Sequence, residues 1–186
     1  MTNNNYPLLA QTPTFMVDGT LEIKPSSNSN SSDYSFLIGN HKVHHRKLKE
    51  RFNNCKEWVD IEGSKTTELL LTGISNIEKH YMCDSKQQPI EAFALRLFNP
   101  VTKLWSLYWA DSIFGILDPP LLGSFENNIG LFFGKEIING KEIIVQFQYD
   151  RTDTDNPVWG QAFSNDNGKT WEWNWFMFFS RIKIKL

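Results

Sequence analysis

The run HKVHHRKLKER, residues 41–51, sets His41, His44 and His45 among five lysines and arginines. Imidazoles ligate metals and move protons near neutral pH, so either chemistry is on offer. Side chains alternate along a strand, which sends His44 and His45 to opposite faces. His41 and His45 share a face but stand about 13 Å apart at roughly 3.3 Å per residue. Zinc–nitrogen bonds of about 2.0–2.1 Å do not span that, so no metal site is expected from this run. The alternate residues Lys42, His44, Arg46 and Leu48 read as a solvated outer face. The second candidate is YWADS, residues 108–112. Trp105, Leu107, Trp109 and Asp111 lie on one face, which carries a carboxylate to the rim of an aromatic wall. Asp111 is then either a buried ion-pair partner for Arg96 or a general base at a pocket mouth, with His45 sharing its proton.

Such residues need a scaffold, and the rest of the chain describes one. Strands are predicted near 38–49, 56–66, 69–80, 91–99, 104–111, 120–126, 129–134, 142–150, 157–164 and 171–182. The turns between them are explicit in NPVTK, DPP, ENNIG, NGK, RTDTDNP and NDNG. KLKERFNN has room for one helical turn and no more. About ten consecutive strands with short connections predict an all-β, antiparallel, up-and-down barrel, closed so that no sheet edge stays bare. Aromatics make up 14% of the chain and recur at period two. Trp105 and Trp109 form one stripe, Trp159, Gln161 and Phe163 a second, and Trp171, Trp173, Trp175, Met177 and Phe179 a third. Each stripe is either packed core or the wall of a cavity, because a barrel of this size encloses side chains plus one small ligand.

SNDNGKTW, residues 164–171, resembles the Asp box of sialidase-type propellers. Propellers repeat their blades, and the pattern occurs once here, so it reads as a hairpin turn. DTDNP, with Asp153 and Asp155, lacks the glycine and terminal glutamate of a calcium loop. No nucleophile elbow, phosphate loop, dinucleotide fingerprint or Cys-x-x-Cys is present, and no cofactor is expected. A haem barrel of the nitrobindin kind would need a late histidine, and none follows His80.

Charge is nearly balanced, with 19 Lys and Arg against 21 Asp and Glu. That gives no footprint for nucleic acid. No apolar run has the length of a membrane span. Cys55 and Cys83 lack metal spacing and no leader pattern opens the chain, so a cytoplasmic protein with two reduced thiols is expected.

Residues 1–33 are rich in Ser, Asn and Pro and read as a flexible polar arm, with PSSNSNSS as a tether. The barrel domain is expected over 34–186. Phe15, Met16, Val17, Leu21 and Ile23 give the arm apolar residues to lay across the body or a partner subunit. On the last strand, alternation turns Phe176 and Phe178 outward. Such a patch is covered either by a second copy, giving a homodimer, or by Phe15, Met16 and Val17 of the arm.

FLIGNHKV, residues 36–43, resembles the first-strand signature of lipocalins and related calycin barrels, with Gly39 matching and His41 where the tryptophan stands. Arg181 occupies the position of the calycin arginine that packs over that tryptophan. GNHKVHHRKLKERFNNCKEW, LRLFNPVTKLWSLYWADS, GILDPPLLGSFENNIGLFFG and WGQAFSNDNGKTWEWNWFMFFSR are similar to a widespread group of uncharacterised calycin-like bacterial proteins. The resemblance implies a calycin barrel and implies no reaction. The function expected is binding of a small hydrophobic molecule. Its wall would be Trp105, Trp109, Trp159, Phe163, Trp175 and Met177, with polar contacts from His45, Arg96, Asp111, Gln161 and Asn174. One alternative is an isomerase, cyclase or hydrolase that uses His45 and Asp111 as its acid–base pair; another is a structural or interaction module.

Overall fold

The computed structural model describes residues 8–83, 86 and 88–183. The arm carries a two-stranded ribbon of β1 (Thr14–Phe15) and β2 (Leu21–Glu22). The barrel strands are β3 (Gly39–Leu48), β4 (Trp58–Leu70), β5 (Ser75–Cys83), β6 (Pro89–Asn99) and β7 (Leu104–Asp111). They continue as β8 (Leu121–Glu126), β9 (Ile129–Ile138), β10 (Lys141–Asp150), β11 (Val158–Ser164) and β12 (Glu172–Arg181). Each pairs with its chain neighbours and β12 returns to pair with β3, closing a ten-stranded antiparallel barrel. Among the described residues no helix is long and apolar enough to cross a membrane.

Local chemistry sets the turns. Asn139 and Gly140 both take positive φ, 52° and 75°, as a tight hairpin between right-twisted strands requires. The single Asp box folds the β11–β12 hairpin on itself: Gly168 N donates to Ser164 Oγ at 2.8 Å and Thr170 N to Asp166 Oδ1 at 2.9 Å. Hydrogen bonds from Thr170 and Ser164 hold the Asp166 carboxyl down at about 2. Several boundaries differ from the prediction, with β4 running on to Leu70 and β9 to Ile138. β5 starts at Ser75, not 69, because Leu71–Gly73 makes a 3-10 turn with positive φ at Leu71 and Thr72. The segment expected as a helical turn is instead a bend, with positive φ at Phe52 and Asn54.

The aromatic stripe of β12 is also broken. Gln161 pairs with Trp175 but Ala162 pairs with Trp173, so a bulge absorbs Asn174 and shifts the alternation. Trp175 stays inside, while Trp173 stacks on outward Phe176 with ring centroids 5.3 Å apart.

The arm lies along the outer wall. Leu8 is 2% exposed and packs where Gly160 has no side chain: a Cβ there would sit 2.7 Å from Leu8 and 3.0 Å from Phe176. Gln11 N donates to Gln146 Oε1 on β10, and Ser26 N to Ser124 Oγ on β8. The run expected as a tether is folded by its own side chains, with Ser29 Oγ and Asn30 N both donating to Asp33 Oδ2. Phe176 is 0% exposed, covered by Leu8, Trp173 and Trp58 from its own chain. The chain itself thus covers Phe176, one of the two outward phenylalanines, while Phe178 beside it is half-buried. The cover is Leu8 and not Met16 or Val17, which are 54% and 110% exposed.

Candidate functional site

One end of the barrel is sealed by residues 33–38. Tyr34, Phe36 and Leu37 are buried, and Tyr34 meets Trp105, Phe125 and Tyr149 edge to face at centroid distances of 4.8, 5.0 and 5.3 Å. Those geometries place ring edges on ring faces, as the aromatic quadrupole favours. Arg181 donates to the carbonyls of Phe36 and Ile38, and Lys65 Nζ to that of Leu37 at 2.7 Å, tying plug to wall.

Above the plug lies a buried charge cluster. Alternation along SNIEKHYMC points Asn76, Glu78, His80 and Met82 inward from β5. Glu78 Oε1 accepts from Arg96 Nη2 and stands against His80 Nε2, both at 2.8 Å; Oε2 meets Lys65 Nζ and Thr67 Oγ1, both at 3.0 Å. Arg96 also donates to Asn76 Oδ1 at 2.9 Å and to the Tyr149 hydroxyl at 3.1 Å. Burial alone would raise the Glu78 carboxyl, but Arg96, Lys65 and His80 together hold it well below the usual carboxylate range. Burial pulls the Lys65 ammonium down to about 8 against the opposing pull of Glu78.

This cluster floors a cavity of about 480 Å³. Trp109, Phe147, Trp159, Phe163, Trp175 and Met177 are among its walls. Trp175 takes Trp109 and Trp159 edge to face at 5.6 and 5.4 Å, so three indoles frame the space. The mouth is formed by Lys47, Arg51, Asp111, Asp118 and Glu136 with the loop residues Ile113, Phe114 and Ile116. Lys47 Nζ stands 3.7 Å above the Trp175 ring centroid, and burial, with Arg51 adding to it, pulls its ammonium to about 8. Burial raises Asp118 and Glu136.

Of the residues singled out from sequence, Trp109, Trp159, Phe163, Trp175, Met177, Arg96, Asp111 and Gln161 all line this cavity. Three do not. Trp105 is 0% exposed and belongs to the seal, where its Nε1 donates to Asp33 Oδ2 at 3.2 Å. Asn174, displaced by the bulge, accepts from Gln161 Nε2 at 2.7 Å behind the wall. His45 sits behind Trp175, whose Nε1 donates to its Nδ1 at 3.3 Å. Gly63 leaves room beside it: a Cβ there would lie 3.1 Å from its Nε2 and 2.8 Å from the Tyr81 carbonyl. Burial, with His80 adding to it, drops His45 to about 3, so it stays neutral at physiological pH.

The proposed acid–base pair does not form. His45 Nε2 has no partner, and Asp111 accepts from Trp109 Nε1 at 3.3 Å and from the amides of Ile113 and Phe114 at 3.0 and 3.1 Å. Asp111 shapes the loop at the mouth. The carboxylate that neutralises Arg96 is Glu78, on the neighbouring strand, and not Asp111. Glu78, His80, Lys65 and Tyr149 were missed by sequence reasoning. The signal for the first two was polar residues at period two in a strand that must bury one face. Among the described residues no three His, Cys, Asp or Glu side chains stand together as metal ligands. No protein-family model matches the chain, and no curated protein matches it.

Proposed function

We propose that the barrel binds one small, largely apolar molecule in its interior, as calycin barrels do. The observation that carries this reading is the cavity of about 480 Å³, framed by Trp109, Trp159 and Trp175 and open at one end. Small-molecule pockets typically run from about 300 to 1,000 Å³, with apolar walls and a few polar groups. Two further features support a calycin relationship. Gly39 takes φ of 94° at the start of β3, and Arg181 ties the last strand to the chain entering the first. The arginine does so through backbone carbonyls, since His41 offers no indole to cover. The free thiols of Cys55 and Cys83 fit a reducing, cytoplasmic setting.

Titration with neutral 1-aminoanthracene tests the reading. The dye should bind one per chain, with emission shifted to the blue and excited by energy transfer from the cavity tryptophans. Ala94→Trp, which fills the cavity from β6, should abolish both signals while the urea unfolding midpoint stays close to that of wild type. Unchanged dye emission in the presence of wild-type protein would show that the interior takes no ligand.

A further inference from the structure

Two lysines of the barrel have ammonium groups pulled down to about 8, but their surroundings differ. Lys65 is fully buried beneath the plug. Its Nζ donates to the Leu37 carbonyl at 2.7 Å and to Thr67 Oγ1 at 2.8 Å, and pairs with Glu78 Oε2 at 3.0 Å. Lys47 is half-buried and lines the cavity at its mouth. On β3 it stands across from Trp175 of β12 and Val59 of β4, neither of them charged. Its Nζ lies 3.7 Å from the centroid of the Trp175 ring, and among the described residues no hydrogen bond or ion pair holds it. The charges that act on it are Arg51, which adds to the effect of burial, and Asp111, which opposes it. Asp118 and Glu136 complete the ionisable groups of the mouth.

From this arrangement we propose that Lys47 captures a flat apolar aldehyde as a protonated imine, with the body of the aldehyde among the cavity indoles and its carbonyl carbon at the mouth. The proposal rests on the binding reading above and adds to it a ligand class and a bond. A lysine is activated for this chemistry by an apolar pocket and by a neighbouring cation, and Lys47 has both. At about pH 7.4 roughly one Lys47 in five is neutral, against about one in a thousand for an ordinary lysine. The neutral nitrogen adds its lone pair to the carbonyl carbon, loses a proton, and the oxygen gains one, which gives a carbinolamine. With a further proton from solvent at the open mouth the hydroxyl leaves as water, and the C=N bond remains protonated. One water is released and nothing is oxidised or reduced. The cation so formed keeps the place of the ammonium over the face of Trp175. Apolar walls keep bulk water from the imine and slow its hydrolysis. Lys65 has the same lowered value but no such outlet, since its nitrogen is enclosed by three partners.

Treatment of wild-type protein with 2-naphthaldehyde and sodium cyanoborohydride at about pH 7.4, followed by peptide mapping, tests this. The reductant fixes the imine as a secondary amine, so each adduct marks the lysine that formed it. Lys47 should be labelled at least about tenfold faster than any other lysine, Lys65 included. Excess 2-methylnaphthalene, which fills the cavity without reacting, should suppress that labelling, and so should Ala94→Trp. Labelling of Lys47 no faster than that of other lysines, in protein that binds 1-aminoanthracene, would overturn the imine and leave the cavity reading standing. Fast labelling of Lys47 that neither 2-methylnaphthalene nor folded Ala94→Trp reduces would also overturn it, by showing that the cavity does not hold the aldehyde. If Ala94→Trp fails to fold, protection of wild type by 2-methylnaphthalene decides alone. Unselective labelling together with no dye binding would overturn both the imine and the cavity reading.

Discussion

At the sealed end Tyr34, Phe36 and Leu37 are 1%, 5% and 0% exposed, and the buried Lys65 and Arg96 beside them share the Glu78 carboxylate. At the mouth Ile113, Phe114, Ile116 and Leu117 are 61%, 75%, 65% and 51% exposed, and Lys47 has an aromatic ring beneath it where Lys65 has a carboxylate. The same ten strands run through both ends. What differs is how the ends are closed: the chain entering β3 folds back as a plug at one, and among the described residues strand connections such as the β7–β8 loop surround the other. The sealed end spends desolvation on charges and recovers it through hydrogen bonds. The mouth leaves apolar surface in water, a feature common at ligand sites.

The largest break in this comparison comes from Glu78. Glu78→Gln keeps the volume but leaves Arg96 and Lys65 facing each other without an anion. Removing one partner of a buried ion cluster costs about 3–5 kcal/mol. Urea unfolding should register that loss as a lower midpoint with unchanged slope. Asp118→Asn at the mouth should cost under about 0.5 kcal/mol in the same assay, because burial already raises that carboxyl and no cation depends on it. Equal losses at both positions would erase the distinction between the ends.

Much of the fold was legible in the chain. Ten strands follow from period-two aromatics and from turn pairs such as Asn139–Gly140, where local chemistry dictates geometry. Most of the wall was legible too, since Trp109, Trp159, Phe163 and Met177 keep strict alternation. Three features were not. The bulge at Asn174 depends on cross-strand register, which no local run encodes, and it turned Trp173 outward. The partner of Arg96 depends on which strands lie side by side: Asp111 was attractive as an aromatic-rim carboxylate, but Glu78 sits across the β5–β6 ladder from Ala94, two residues from Arg96. The plug hid in DYSFLIG because the loss of strand patterning there resembles a linker.

A second, smaller effect separates the ends by pH. Burial is the main cause that lowers His41 from its ordinary 6.5 to about 4 and His45 to about 3. The unfolded chain therefore binds more protons than the folded one below pH 6.5. Stability from these two rings is complete above that value and falls as pH drops toward the folded values. Each ring should cost about 2 kcal/mol between pH 6.5 and about pH 5. Urea midpoints measured across that window should decline for wild type and flatten by about half in His45→Gln. A wild-type midpoint that is level from pH 6.5 to about 5 would mean that neither ring is held neutral by the fold.

The last predicted effect has the opposite sign to Glu78. Lys47 at the mouth keeps an ammonium that burial has pulled from 10.5 to about 8, and its contact with the face of Trp175 offsets only part of that burial. A lysine with a lowered folded value destabilises the protein wherever it is charged in both states, and the penalty disappears as pH rises from 8 past 10.5. Lys47→Met retains the aliphatic packing on the ring and removes the charge. With allowance for solvent at the mouth, it should stabilise the barrel by about 1 kcal/mol at neutral pH. The gain should shrink to nothing in urea titrations run above about pH 11, where wild-type lysine is neutral folded and unfolded. A loss of stability at neutral pH would mean that the cation over Trp175 is as necessary to the mouth as Glu78 is to the floor.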